Sequence, residues 1–182
     1  PCAHATTDST PSGRLSQHRP LGDYVYHCRH TVPHLPGPAL SDTQKIIIYT
    51  DGASRGNPGE SAAGIMMWDA NGDPIGRVYL YLGELTNNQA EYKAVLTGLL
   101  AAYVQGFGEV ECRLDSELVV RQLNGVYKIK DAALKTLAAQ VQKAASRLDH
   151  VSFTHVGRDA NDQADALANE ILDLRADDDL PI

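Results

Sequence analysis

The chain has 182 residues, 43% of them hydrophobic, and a formal charge of −7. That length supports one good core, and no apolar run approaches the roughly 18 residues that would span a bilayer. The charge argues against nucleic-acid binding through a basic surface. Within residues 1–44, Arg14, Arg19 and Arg29 balance Asp8, Asp23 and Asp42, so the whole of the −7 falls in residues 45–182. A domain this acidic either meets phosphates through metal cations or does not bind nucleic acid. Cys2, Cys28 and Cys112 are scattered and odd in number, which gives no disulfide framework and suits a reducing cytoplasm.

The start, PCAHATTDST, carries neither Met nor a signal-peptide apolar segment and reads as a processed or truncated chain. Residues 1–44 are rich in Pro, Ser, Thr and His and read as a flexible or weakly structured extension, with a hint of order from Leu21 to Tyr26. Cys2, His4, His27, Cys28, His30 and His34 are zinc-ligating types, but paired CxxC spacing is missing and His27 and Cys28 are adjacent. From Lys45 a globular pattern begins. Ile46–Thr50 predicts a strand buried on both faces, ending abruptly at Asp51-Gly52 and followed by the turn formers Ser54, Gly56, Asn57, Pro58 and Gly59. Ala62–Trp68 and Ile75–Leu82 predict two more strands joined through an Asn71-Gly72 hairpin, making an antiparallel meander.

Helical spacing takes over from Asn88 to Gln105, apolar over most of its girth and stopped by Gly106. Val110–Leu114 predicts a strand that closes at Asp115-Ser116. Helices follow over Glu117–Leu123 and about Asp131–Arg147, then a last strand over Val151–Val156. Asn161 or Asp162 caps a final helix with Ala164, Leu167, Ala168, Ile171 and Leu172 on one face, and Asp177–Asp179 reads as a frayed acidic end. The order βββαβααβα is one α/β domain with a mixed sheet.

Four acids stand out. Asp51 and Asp115 each end an apolar strand, and strands one and four, joined by a helical crossover, should lie parallel and adjacent. Glu91 and Asp165 lie in the first turns of two helices. Taken singly, Asp51 can open a turn, Glu91 can cap its helix with Asn88, and Asp165 can sit on a solvated face beside Asp162 and Asn169. Taken together, carboxylates meeting at one sheet edge repel and raise one another's pKa unless cations neutralise them. An all-oxygen set favours Mg²⁺ or Mn²⁺ over zinc.

YTDGASRGNPG (Tyr49–Gly59), TNNQAEY (Thr86–Tyr92), DSELVVRQLNG (Asp115–Gly125) and HVGRDANDQADALAN (His155–Asn169) together resemble the ribonuclease H type 1 family, in order and in spacing. The resemblance covers about residues 45–173. It implies a ribonuclease H-like fold: a mixed five-stranded sheet flanked by helices, with a catalytic domain over 45–175, the extension before it and an acidic tail over 176–182. It implies an endoribonuclease that hydrolyses the RNA strand of RNA/DNA hybrids with two Mg²⁺ ions, Mn²⁺ being able to substitute. In that reading Asp51 bridges the two ions, Glu91 ligates one near the scissile nucleotide, and Asp115 and Asp165 complete the coordination. The products carry 3′-hydroxyl and 5′-phosphate ends.

The resemblance also implies that the 52–57 loop, including Gly52, Ser54 and Asn57, meets the hybrid's minor groove with Asn88 and Gln89, testing for 2′-hydroxyls with little sequence preference. Ser116 and Arg158 join this substrate-binding set. A cytoplasmic monomer with no membrane partner is expected. Two features depart from many bacterial members. The basic protrusion is reduced to VYKIKDAALK, and the loop that bears a histidine in those members is shortened to Gly157–Ala160, with Arg158 at or near that place. The pattern matches the shorter subgroup of the family. His155, which precedes this loop on the strand, is expected to pack or bond there rather than titrate. Two rival readings are a hybrid-binding module without catalysis and a nuclease domain cut from a larger polypeptide.

Overall fold

The computed structural model describes residues 44–178. The candidate zinc ligands between Cys2 and His34 and the tail from Asp179 lie outside the described residues. Five strands form one sheet: β1 (Lys45–Gly56), β2 (Gly59–Asp69), β3 (Pro74–Leu85), β4 (Glu109–Leu114) and β5 (His150–His155), in the order β3-β2-β1-β4-β5. β1, β2 and β3 pair antiparallel, while β4 pairs parallel with both β1 and β5. The meander and the parallel β1–β4 neighbourhood are thus as the sequence predicts. The β2–β3 turn uses Asn71-Gly72: Gly72 has φ +90°, and the Asp69 carboxylate accepts the N–H groups of Asn71 (2.8 Å) and Asp73 (2.9 Å).

The expected end of β1 at Asp51-Gly52 is corrected. β1 stays paired with β2 as far as Gly56↔Gly59, so residues 52–56 are strand and only the turn around Asn57-Pro58 is loop. What ends near Asp51 is the other ladder, because β1 and β4 part after Tyr49↔Arg113. The turn formers mark a hairpin tip several residues further on. Burial on both faces is corrected too. Ile46, Ile48 and Thr50 are fully buried, whereas Ile47 and Tyr49 on the opposite face are half-buried.

The helices are α1 (Asn87–Val104), α2 (Glu117–Leu123), α3 (Ala132–Ala145) and α4 (Asp162–Asp178), the last continuing into the stretch read as an acidic tail. α1 packs against β1 and β2, with α3 beside it, and their apolar side chains form the core with Ile46, Ile48 and Ile65. α1 starts on a capping box other than the Asn88–Glu91 pair that the spacing also allows. Thr86 Oγ1 accepts the Gln89 N–H, and Gln89 Oε1 accepts the Thr86 N–H at 2.9 Å. Glu91 therefore has no part in capping. α1 ends at Gly106 (φ +86°), with Phe107 N–H donating to Ala102 and Gly106 N–H to Tyr103.

α4 lies on the other face, where β2 offers Gly64. A Cβ there would stand 2.1 Å from the Ala164 carbonyl oxygen, so the helix backbone rests directly on the strand. Ala164, Leu167, Ala168 and Leu172 are the buried stripe of α4, with Ile171 half-buried beside them. The Arg158–Ala160 segment, expected as a short loop, is one 3-10 turn.

Candidate active site

Three elements deliver carboxylates to the point where β1 and β4 part. Asp51 comes from β1, one residue beyond Thr50, whose side chain is buried in the α1 face. Asp115 is the first residue past β4. Glu91 arrives from the first turns of α1, which can reach β1 only because residue 52 is glycine: a Cβ at Gly52 would stand 2.1 Å from Glu91 N and 2.2 Å from the Ala90 carbonyl carbon. The Gly52 N–H lies close enough to the Glu91 carboxylate to favour its charged form. Oxygens of Asp51, Glu91 and Asp115 lie within 4.8 Å of one another.

Asp51 and Glu91 are each only 5% exposed. Burial, followed by the charges of Asp115 and Asp165, pushes Asp51 up to about 7, against a smaller opposing pull from Arg158. Burial, then Asp51 and Asp115, pushes Glu91 up to about 9, opposed by the Gly52 N–H and Arg158. Glu91 Oε2 is buried with no hydrogen-bond partner. A buried, crowded, partly unsatisfied set of oxygen donors is costly unless a cation completes it. The residues therefore fit a divalent cation, and their all-oxygen chemistry fits Mg²⁺ or Mn²⁺.

The other residues singled out in the sequence divide into two groups. Asp165 sits in the first turn of α4, exposed and outside the three-carboxylate group, although its charge reaches Asp51. Arg158 lies on the same side, its Nε 3.7 Å from Asp115 Oδ2 while its side chain is 88% exposed. It faces the carboxylates rather than pairing with Asp159 or Asp162. Ser116 is the N-cap of α2, and its hydroxyl makes no capping bond.

Across the site, Gly52, Ser54, Asn57, Asn88 and Gln89 gather where the β1–β2 hairpin meets the start of α1. Ser54 Oγ is used internally, its one O–H shared between the Gly56 (2.7 Å) and Leu85 (2.9 Å) carbonyls within its reach. Asn57 Oδ1 accepts the Asn87 N–H at 3.3 Å. Asn88 is half-buried in the first turn of α1. The expectation that His155 packs is corrected, since it is exposed at the last position of β5.

One further residue of the site reads in the sequence as a helix cap only. Asn161, 1% exposed, donates from Nδ2 to the Thr50 carbonyl (3.1 Å) and to Asp115 Oδ1 (3.3 Å). The local signal was the Asn of RDANDQAD, which a cap explains equally well.

A family model described as reverse transcriptase-like matches residues 49–171, a span that contains all four acids. The crystal structure of RNase H1 from the halophilic archaeon Halobacterium salinarum superposes with a TM-score of 0.70 at 42% identity, covering 71% of this chain and 98% of that one. The chain belongs to the ribonuclease H family. The N-terminal RNase H domain of a Mycobacterium tuberculosis protein, solved as a fusion with maltose-binding protein, gives a TM-score of 0.71 at 36% identity over 75% of this chain and 99% of that one. LC11-RNase H1, a compost metagenome protein solved in complex with an RNA/DNA hybrid, gives 0.66 at 42% identity over 69% of this chain and 94% of that one. The ribonuclease H fold is common to all three. This chain spans 65% of the length of the full Halobacterium ribonuclease HI and 36% of a bifunctional Mycobacterium tuberculosis protein.

Proposed function

We propose that this ribonuclease H domain is an endonuclease that hydrolyses the RNA strand of RNA/DNA hybrids with two divalent cations, leaving 3′-hydroxyl and 5′-phosphate ends. The observation that carries the reading is the meeting of Asp51, Glu91 and Asp115, two of them buried and raised toward neutrality, in a chain of this family. A module that only bound nucleic acid would gain nothing from such a cluster, which costs stability and repels phosphate. Asp51, Glu91 and Asp115 would hold the cations, with Asp165 completing the set from α4. Bound there, Mg²⁺ (or Mn²⁺ in its place) supplies Lewis acidity toward the attacking water and the leaving oxygen.

The chain's own groups supply the rest. Arg158, exposed and beside Asp115, is placed to hold a phosphate through a bidentate pair. Asn57 and Gln89 use their side-chain oxygens internally, which leaves both amide NH₂ groups as donors toward a minor groove. Gly52 and Ser54 shape that wall, Asn88 stands in it, and Ser116 offers a free hydroxyl beside Asp115. The LC11-RNase H1 complex with an RNA/DNA hybrid supports the substrate class. Residues 45–175 form the catalytic unit in this reading, and residues 1–44 and 176–182 contribute no reacting group. The enzyme acts as a monomer. No helix among the described residues is long and apolar enough to cross a membrane, and free, buried Cys112 suits a reducing cytoplasm.

The test is cleavage of a hybrid, a double-stranded RNA and a double-stranded DNA of one sequence, with Mg²⁺ and with EDTA. Cutting of the hybrid's RNA strand with Mg²⁺ alone is the expected result. Activity that survives EDTA, or none on the hybrid, would overturn the proposal.

A further inference from the structure

Asn161 is an expensive residue to keep where it stands. Its side chain is buried, and its Oδ1 has no hydrogen-bond partner. An orphaned buried amide oxygen is destabilising, so a fold that retains it uses the other end of the amide. That end is Nδ2, and both of its hydrogens have acceptors, the Thr50 carbonyl and Asp115 Oδ1. The orientation is fixed by chemistry: reversed, the amide oxygen would face a carbonyl oxygen and a carboxylate oxygen with nothing to accept.

Capping does not explain the residue. An N-cap side chain accepts an N–H of the first helical turn through its oxygen. Here the side-chain oxygen accepts nothing, and it is the Asn161 main-chain carbonyl that takes the N–H groups of Ala164 and Asp165, both at 3.1 Å. Serine or aspartate would cap as well.

The placement says what the amide does. The parallel ladder between β1 and β4 ends at Tyr49↔Arg113. Immediately past it the two strands would be free to splay, and the next groups along are Thr50, before Asp51, and Leu114, before Asp115. Nδ2 bridges β1 to the Asp115 carboxylate across that gap, while the Asn161 main chain begins the helix that bears Asp165. One residue therefore ties together β1, Asp115 and α4.

Building on the metal-dependent reading above, we infer that Asn161 is a positioning residue that sets the spacing and orientation of the Asp51, Asp115 and Asp165 carboxylates for divalent cation binding. Partners that orient metal ligands from behind are worth about 10–100-fold in metal affinity.

The test titrates Mn²⁺ and Mg²⁺ by calorimetry into substrate-free wild type, Asn161→Ala and Asn161→Ser. Each protein is also melted without metal and assayed on a hybrid across Mg²⁺ concentrations. The serine variant keeps a capping side chain and is the safeguard if the alanine variant does not fold. The inference expects both variants to bind metal about 10–100-fold more weakly. It also expects the Mg²⁺ concentration for half-maximal rate to rise by a similar factor, with kcat at saturating Mg²⁺ recovering to within a few-fold. Wild-type metal affinity in a folded variant, with a lower melting temperature or a lower kcat as the only change, would overturn it. Failure of the wild type itself to bind either metal would instead overturn the reading on which it rests, and would show in the wild-type arm alone.

Discussion

The two ends of β1 are built to opposite rules. From Ile46 to Tyr49 the strand is paired on both sides, with β2 and with β4, and Ile46 and Ile48 are fully buried under α1. From Asp51 onward β4 has left, Gly52 admits the start of α1, and buried carboxylates replace aliphatic side chains. The first end gains stability from every residue it buries. The second loses stability by burying charge, and is held in shape by the first and by hydrogen bonds such as those of Asn161. Stability and chemistry thus sit a few residues apart on one strand, and substitutions at the two ends should have opposite signatures.

The largest effect is expected at the acidic end. Asp51→Asn should lower cleavage by at least about 10³-fold, the upper range for losing one electrostatic stabiliser. It should also leave the metal-free melting temperature equal to or above wild type, because one source of repulsion is gone. Hybrid-cleavage kinetics beside thermal melts check both halves, and substantial Mg²⁺-dependent activity in the variant would remove Asp51 from the site. The converse substitution is Ile48→Ala at the fully buried end. A cost of about 2–5 kcal/mol in unfolding free energy is expected, with metal affinity in the surviving folded protein close to wild type. Denaturant melts and a Mg²⁺ titration would show whether the two ends are as separate as the comparison requires.

A smaller effect is expected from Arg158→Ala: about tenfold lower turnover, the value of one charge-assisted hydrogen bond, with an unchanged melt. Arg158→Lys should restore only part of the rate, since an ammonium cannot form the bidentate pair. His155→Ala, exposed at the end of β5, is the control and should match wild type in both rate and melt. Wild-type rates from Arg158→Ala would exclude this cation from substrate binding.

The elements were legible because each carries its own local pattern, as in the aliphatic Ile46–Ile48 run and the stripe of Ala164, Leu167, Ala168 and Leu172. The acids were legible because Asp51 and Asp115 both follow such runs in strands that a crossover makes parallel. What the sequence hid was pairing beyond the local run. Gly52, Ser54 and Gly56 look like a loop because they are turn formers, but β2 runs alongside them and keeps the strand going to the hairpin tip. The α1 cap is ambiguous in the sequence because Asn88 and Glu91 satisfy the spacing as well as Thr86 and Gln89 do, and only the backbone decides between them. Asn161 was hidden for a similar reason. Its role depends on Thr50, 111 positions away, and on Asp115, 46 positions away.

The central claim is that the acidic end of β1 is unstable by itself and is completed by a divalent cation. In the unfolded chain Asp51 and Glu91 ionise at about 4, whereas in the fold they are raised to about 7 and about 9. Between those values the folded state binds more protons than the unfolded state, so stability must fall as pH rises through that window. The direct measurement is the melting temperature from pH 5 to pH 9.5, with EDTA and with saturating Mg²⁺, for wild type and Asp51→Asn. Wild type in EDTA should lose stability steadily toward pH 9. Mg²⁺ should restore it, most at the highest pH, and Asp51→Asn should show a shallower slope and a smaller response to Mg²⁺. Wild-type melts that neither fall with pH in EDTA nor rise with Mg²⁺ would contradict the account.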